Sequence, residues 1–316
     1  MKKISREEHL NYSVSEELIV NGNCGVKTAF PSTNSIDIIE ESVDNLVYQG
    51  ILNVLQNGVR IQARAGTALQ AYHTNYTLLS SRRRLHTLRA RAVTYLCREL
   101  LAYFRGSLVA ADGLVQASSF WKKLTDENGQ INSNYGYYVF YQPISAQRCR
   151  NQLEWVIDVL LQNKDSRRGI ININQVQHKK ETKDFPCTIS LLFFIRDNYL
   201  CCEVNSRSTD VITGLPYDIG FFSLLTELIS AELARKKYPE LQPGYTMMKT
   251  NFTQIYLSSV SKVNQILEAV HTKPDWQRDD LMPAIDDSAA FLEDIYESKA
   301  ATAIMKWIYQ NAGLEG

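Results

Sequence analysis

Three stretches of this 316-residue chain gather residue types that can do chemistry. The first is Asp165-Ser166-Arg167-Arg168, and the second is Phe185-Pro186-Cys187. The third is Asn205-Ser206-Arg207-Ser208-Thr209-Asp210, followed by Gly214-Leu215-Pro216-Tyr217-Asp218. Together they offer a thiol, three arginines, several hydroxyls and three carboxylates. Guanidinium forks match phosphate oxygens two at a time, so the arginines suggest an anionic ligand. A thiol near such charges is drawn toward thiolate and becomes a competent nucleophile. Each piece alone also has an ordinary reading: cysteine is among the most commonly buried residues, and an Arg-Arg pair is usually a solvated surface feature. Spacing alone leaves both readings open.

The order and wording of the stretches narrow the choice. Upstream lie Arg98-Glu99-Leu100-Leu101 with Phe104-Arg105-Gly106, then Trp121 before Asp126-Glu127-Asn128-Gly129, then Tyr135-Gly136. In this order, from about Asn45 to about Gln265, the chain resembles the thymidylate synthase superfamily, folate-dependent enzymes acting at C5 of pyrimidine nucleotides. The resemblance implies that Cys187 is the nucleophile and that Arg207 and Ser208 bind the nucleotide phosphate. Arg64, in Ala63-Arg64-Ala65-Gly66-Thr67, is similar to the family's phosphate-loop arginine. Arg167 and Arg168 resemble the pair that one subunit donates to the other, which implies a homodimer. Glu99 resembles the carboxylate that orders water and relays protons, and Tyr135 the tyrosine near C5 proton abstraction. Trp121 and Asp210 match positions on the folate side, and Tyr256 and Gln254 fall at the sugar.

The implied chemistry explains these residue types. C5 of a pyrimidine is a poor nucleophile until a thiolate adds at C6. The activated carbon then takes a one-carbon unit from 5,10-methylenetetrahydrofolate. Hydride capture gives a methyl group, whereas water capture gives hydroxymethyl. Covalent catalysis and proton relay are both required.

Departures from the family pattern point to the substrate. Where the synthases read G-L-P-F-N, this chain reads Gly214-Leu215-Pro216-Tyr217-Asp218. An amide both donates and accepts and suits uracil; a carboxyl group can accept from the C4 amine of cytosine and, when protonated, donate to N3. Asp218 resembles the cytidylate hydroxymethylases in this respect, although an acid is also favoured by the dipole at a helix start. Thr188 stands where synthases carry His, Leu192 where they carry Gln, and Gln254 where they carry a sugar-binding His. These changes at the sugar lean toward CMP over dCMP. In place of the family's apolar closing tail, residues Asp287 to Tyr309 read as one amphipathic helix. The expected activity is folate-dependent C5 hydroxymethylation of a cytidine monophosphate. The rivals are a divergent synthase methylating dUMP and a nucleotide-binding regulator without turnover.

Several elements must position these residues. A helix capped near Asn34 or Ser35 is expected to carry Ile39, Val43, Leu46, Val47 and Val54 on one face and to stop at Asn57-Gly58. Val93 to Phe104 gives a second helix ending at Gly106, and Leu153 to Leu161 a third. Ile170 to Ile173 and Thr188 to Ile195 read as strands, the latter turning through Arg196-Asp197-Asn198 into Tyr199 to Val204. Pro216 opens a long apolar helix through Leu233. Without regular βα alternation the fold class is α+β, helices packed on one side of a mixed sheet. Residues 1–34 read as an irregular extension and 35–316 as a single catalytic domain.

Composition limits the partners. Thirty-four basic and 34 acidic residues balance, which argues against a dedicated nucleic-acid or membrane-surface protein. The run Arg82-Arg83-Arg84 with Arg89 and Arg91 suggests solvated charge or a folate polyglutamate tail rather than nucleic acid. The longest uncharged apolar run is far short of the roughly 20 residues a bilayer requires, and no signal-peptide pattern follows the first residues. Six cysteines without a C-x-x-C spacing suggest neither disulfide framework nor zinc site, and a reduced, cytoplasmic setting. Five histidines without i,i+4 spacing suggest no metal.

Overall fold

The computed structural model describes residues 35–272 and 282–314, so the predicted N-terminal extension lies outside the described residues. Its strands are β1 (Ile36–Glu40), β2 (Val59–Ala63), β3 (Gly66–Leu78), β4 (Ile170–Asn172), β5 (Thr188–Arg196), β6 (Tyr199–Asp210) and β7 (Gln242–Tyr256). They form one mixed sheet in the order β1-β3-β7-β6-β5-β4. β2 and β1 share one side of β3 in succession, β2 antiparallel along its first half and β1 parallel along its second. β6 runs parallel to β7, and the remaining pairs are antiparallel. The β5–β6 hairpin is the one the sequence predicts, with Asp197 in a left-handed conformation (φ 52°) at its turn.

The helices are α1 (Val43–Asn57), α2 (Ala92–Arg105), α3 (Leu114–Ala117), α4 (Gln152–Gln162), α5 (Leu215–Lys236), α6 (Val260–Thr272), α7 (Ser288–Glu297) and α8 (Ala303–Ala312). The first helix begins later than expected. Ser42 caps it by accepting from Asn45 N–H, and Ile36–Glu40 is strand, because the parallel ladder to β3 takes that backbone. α2 stops where Gly106 adopts φ 62° and its N–H reaches the carbonyls of Ala102 and Tyr103. α5 opens on Pro216 and is buried over nearly all its length, packing on β6, β7 and α1. α1, α4 and α5 thus cover the sheet and bury its apolar face, the α+β arrangement expected.

Two other expectations are corrected. The single helix read over Asp287 to Tyr309 is two. Ser298 turns left-handed (φ 54°), and the Asp294 carboxylate accepts from Ala301 N, Thr302 N and Thr302 Oγ1, ending α7 and starting α8. Arg82, Arg84 and Arg89 of the basic run are structural rather than solvated, while Arg91 is exposed. Arg84 is fully buried and pairs with Glu227 on α5; Arg82 binds the same carboxylate at 2.7 Å and the Met282 carbonyl at 2.7 Å. Arg89 donates to the Tyr217 hydroxyl, and Arg91 sits in left-handed conformation before α2.

β3 and β7 escaped the sequence reading because their buried positions are often Thr. Thr74, Thr77, Thr246, Thr250 and Thr253 are all buried, which hides the period of two. Four of those hydroxyls are matched inside the protein: Thr253 pairs with Tyr76 Oη at 2.7 Å, Thr250 donates to the Thr74 carbonyl at 2.9 Å, Thr246 meets Thr226 Oγ1 at 3.1 Å, and Thr74 accepts from Asn53 Nδ2 at 3.0 Å.

Candidate active site

Cys187 lies immediately before β5, where the edge of the hairpin fixes its backbone. Its carbonyl accepts from the Arg207 N–H at 2.9 Å and from Ser206 Oγ at 3.1 Å, both on the adjacent strand β6. The Arg207 side chain holds the segment leading into the cysteine. Nε donates to the Pro186 carbonyl at 3.1 Å, Nη2 to the Phe185 carbonyl at 2.7 Å, and Nη1 to Ser208 Oγ at 3.2 Å. A guanidinium carries five N–H donors; three are accounted for here, leaving capacity for an anion. Ser208 Oγ stands 3.6 Å from Cys187 Sγ. Burial pushes the thiol above its ordinary range, while the Arg207 charge and the Ser208 hydroxyl pull it down. The free protein therefore keeps a protonated thiol next to a cation, ready to ionise when more positive charge arrives.

Tyr135 closes one side. Its hydroxyl accepts from the Thr188 N–H at 3.5 Å, and its ring stacks on Tyr103 and on Phe222, centroids 5.6 and 6.1 Å away. Burial raises this phenol, and the nearby Asp218 and Cys187 raise it further. Asp184, three residues before the nucleophile, ties the two segments together. Its buried carboxylate accepts from Asn132 N and Ser133 N at 2.7 Å each and from Ser133 Oγ at 2.6 Å. The residues carrying Tyr135 and those carrying Cys187 are thereby held in one frame.

Two acids enter from helices. Glu99 is buried midway along α2, and Asp218, only partly covered, lies in the first turn of α5. Burial pushes Asp218 up to about 7. Burial, with the Asp218 charge beside it, pushes Glu99 up to about 8. Glu99 accepts from Tyr95 Oη at 2.9 Å, and Tyr95 Oη in turn accepts from Trp121 Nε1 at 3.2 Å. On β7, Gln254 Nε2 donates to Tyr256 Oη at 3.4 Å, and this phenol feels both Cys187 and Asp210. Asp210 ends β6, where its Oδ1 accepts from Ile212 N and Thr213 N at 2.7 Å each.

The structure thus brings together Cys187, Arg207, Ser208, Tyr135, Glu99, Asp218, Asp210, Gln254 and Tyr256, with Trp121 joined to Glu99 through Tyr95. Three predicted phosphate ligands sit apart. Arg64 is exposed on the β2–β3 turn and donates to the carbonyls of Thr182 (3.2 Å) and Lys183. Arg167 and Arg168 are exposed between α4 and β4, Arg168 lying 4.8 Å over the Trp155 ring. None of the three is joined to the side chains of Cys187, Arg207 or Ser208 by a hydrogen bond or ion pair among the described residues. Tyr95 and Asp184 went unnoticed in the sequence. Tyr95 could have been found, since four residues before Glu99 places it on the same helix face. The partners of Asp184 are about fifty residues away in sequence, beyond local pattern.

The chemistry this geometry allows is covalent catalysis on an anionic ligand, with a thiol as nucleophile and largely neutral acids to move protons. A family model, thymidylate synthase, matches residues 47–290, and the chain belongs to that family. Its members transfer a one-carbon unit to a nucleotide from 5,10-methylenetetrahydrofolate and work as homodimers. Among the described residues no helix is long and apolar enough to cross a membrane. The donor set fits that cofactor. A pterin offers flat faces and an N–H edge; the half-buried Trp121 supplies aromatic surface, and Asp210 a carboxylate whose Oδ1 takes the two backbone amides.

Proposed function

We propose that the protein hydroxymethylates C5 of a cytidine monophosphate, CMP in preference to dCMP, with 5,10-methylenetetrahydrofolate and water. The observation that carries this reading is Asp218, a carboxyl raised to about 7 at the position where the family reads its base. At neutral pH a large share of it is protonated, so it donates to N3 of cytosine while its other oxygen accepts from the C4 amine. A neutral carboxyl group can also accept from N3–H and donate to O4 of uracil, so discrimination rests on which oxygen carries the proton, and the comparison of bases below decides it.

Cys187 Sγ bonds to C6, and the electron pair of the 5,6 double bond moves to C5, making it nucleophilic. Methylenetetrahydrofolate, when bound, supplies the one-carbon unit; Trp121 and Asp210 would hold it. Tyr135 takes part in removing the C5 proton. Glu99, protonated at rest, gives its proton as tetrahydrofolate leaves the one-carbon unit and then takes one from the water whose oxygen bonds to that carbon, and Cys187 leaves as the 5,6 double bond re-forms. Arg207 and Ser208 bind the phosphate, joined by Arg64 from its turn and by Arg167 and Arg168 of a second subunit. Their exposure outside their own chain's cleft supports that last assignment. Gln254 and Tyr256 hold the sugar. Residues 35–316 act as one catalytic domain, in a cytoplasmic setting.

The test is incubation with CMP, dCMP, UMP or dUMP, tritiated at C5, and the folate. Tritium release and a hydroxymethylated product from the cytidine nucleotides are expected, without dihydrofolate absorbance. Dihydrofolate formed with dUMP would replace this reading with a methylating synthase. Binding of CMP without C5 exchange under any folate condition would replace it with a regulator.

A further inference from the structure

Glu99 is placed by a neighbour that neither the family match nor the sequence motifs single out. Tyr95 lies one turn earlier on α2, and its hydroxyl donates to Glu99 Oε1 at 2.9 Å while accepting from Trp121 Nε1 at 3.2 Å. Its ring is packed 4.4 Å from that of Tyr217, whose own hydroxyl is held by Arg89. The phenol therefore has one orientation available. An indole N–H can only donate, so Tyr95 Oη must accept from Trp121 and is left to donate to the carboxylate. Direction and partner are fixed along the whole chain Trp121 → Tyr95 → Glu99.

We propose that Tyr95 is a positioning residue of the reaction: anchored by Trp121, it holds the Glu99 carboxyl in one rotamer and presents it a fixed proton donor. The proposal rests on the proton-relay role given to Glu99 above. The groups facing Glu99 are Tyr95 and Tyr103 from α2 and Asp218 and Tyr217 from α5, and no ion pair reaches it among the described residues. A carboxylate with no cation beside it depends on hydrogen bonds for its charged form. Trp121 then serves twice, as aromatic wall on the folate side and as the anchor of the acid.

Tyr95→Phe keeps the ring against Tyr217 and removes only the hydroxyl. The first readout needs no substrate: titration of the protonated-acid carbonyl stretch by isotope-edited infrared spectroscopy, the band assigned by its loss in Glu99→Gln. The midpoint should rise by about one pH unit in Tyr95→Phe, the size expected for loss of a hydrogen bond to a charged group. Trp121→Phe should move it the same way by less, being one link removed, and it tests the chain independently if the first variant fails to fold. The second readout is the pH profile of C5 tritium release. Its Glu99 limb should shift upward with kcat down about tenfold and nucleotide KM within twofold. An unchanged midpoint in both variants overturns the proposal. Wild-type protein inactive on every nucleotide would sink the functional reading, while the infrared titration still decides this one.

Discussion

The two ends of the site are built on opposite electrostatic plans. At the nucleophile end, Arg207 fixes the loop through the carbonyls of Phe185 and Pro186, and its charge lies beside the Cys187 thiol. At the acid end, Glu99 and Asp218 share desolvated surroundings with phenols and indole and no countercharge, and both rise to about 8 and 7. One end offers a cation to a phosphate and offsets part of what burial costs the thiolate; the other keeps carboxyl groups neutral so that they can give protons near pH 7. The contrast shows how one cleft serves addition and proton transfer at the same pH.

The largest expected effect comes from removing the nucleophile. Cys187→Ser should lower turnover by on the order of 10⁴-fold or more, yet nucleotide affinity by calorimetry should change little, because phosphate and base contacts remain. Substantial C5 tritium release by this variant would break the comparison at its cationic end. Next is Asp218→Asn, which replaces a protonable acid by a fixed amide. The ratio of kcat/KM for cytidine over uridine nucleotides should fall by about 10³-fold, the scale of losing matched polar recognition. In wild type, kcat/KM for the cytidine nucleotide should decline as pH rises through about 7, where Asp218 loses its proton; the Asn variant should lack that limb. Equal use of both bases before and after substitution would remove the role given to Asp218.

Smaller effects sharpen the picture. Asp184→Asn should cost about 2 kcal/mol by denaturant unfolding, since a buried acceptor of three hydrogen bonds becomes partly a donor facing donors. The C5 exchange rate should fall with it as Tyr135 and Cys187 lose their common frame. The most gradual change is in pH dependence, spread over several pH units. Glu99 has a folded pKa of about 8 against an ordinary 4.5, so between those values the folded state binds more protons than the unfolded chain. Stability therefore falls as pH rises through that window, with a slope of about 1 kcal/mol per pH unit. Glu99→Gln should flatten the melting temperature against pH between 5 and 8, leaving the part due to Asp218. An unaltered slope would mean that Glu99 is not the buried neutral acid described here.

Local chemistry made a good part of this protein readable from its residues. Pro216 at the start of α5, Gly106 at the end of α2 and the continuous apolar run of β5 each act on the backbone within a few residues, so their elements were legible. The ordered motifs around Glu99, Tyr135, Cys187, Arg207 and Asp218 named the family's chemistry, because covalent and proton-transfer steps accept few residue types. What lay beyond reach depended on distant partners. The threonine-rich strands β3 and β7 bury hydroxyls only because facing groups satisfy them across the sheet. The arginine run looked solvated until Glu227, more than a hundred residues later, neutralised it. Asp184 and the Tyr95 hydroxyl are likewise assigned by what folds against them. Residue type sets which bonds a side chain can form; the tertiary structure decides which of them form, because desolvation and partner geometry exist only once the chain is packed.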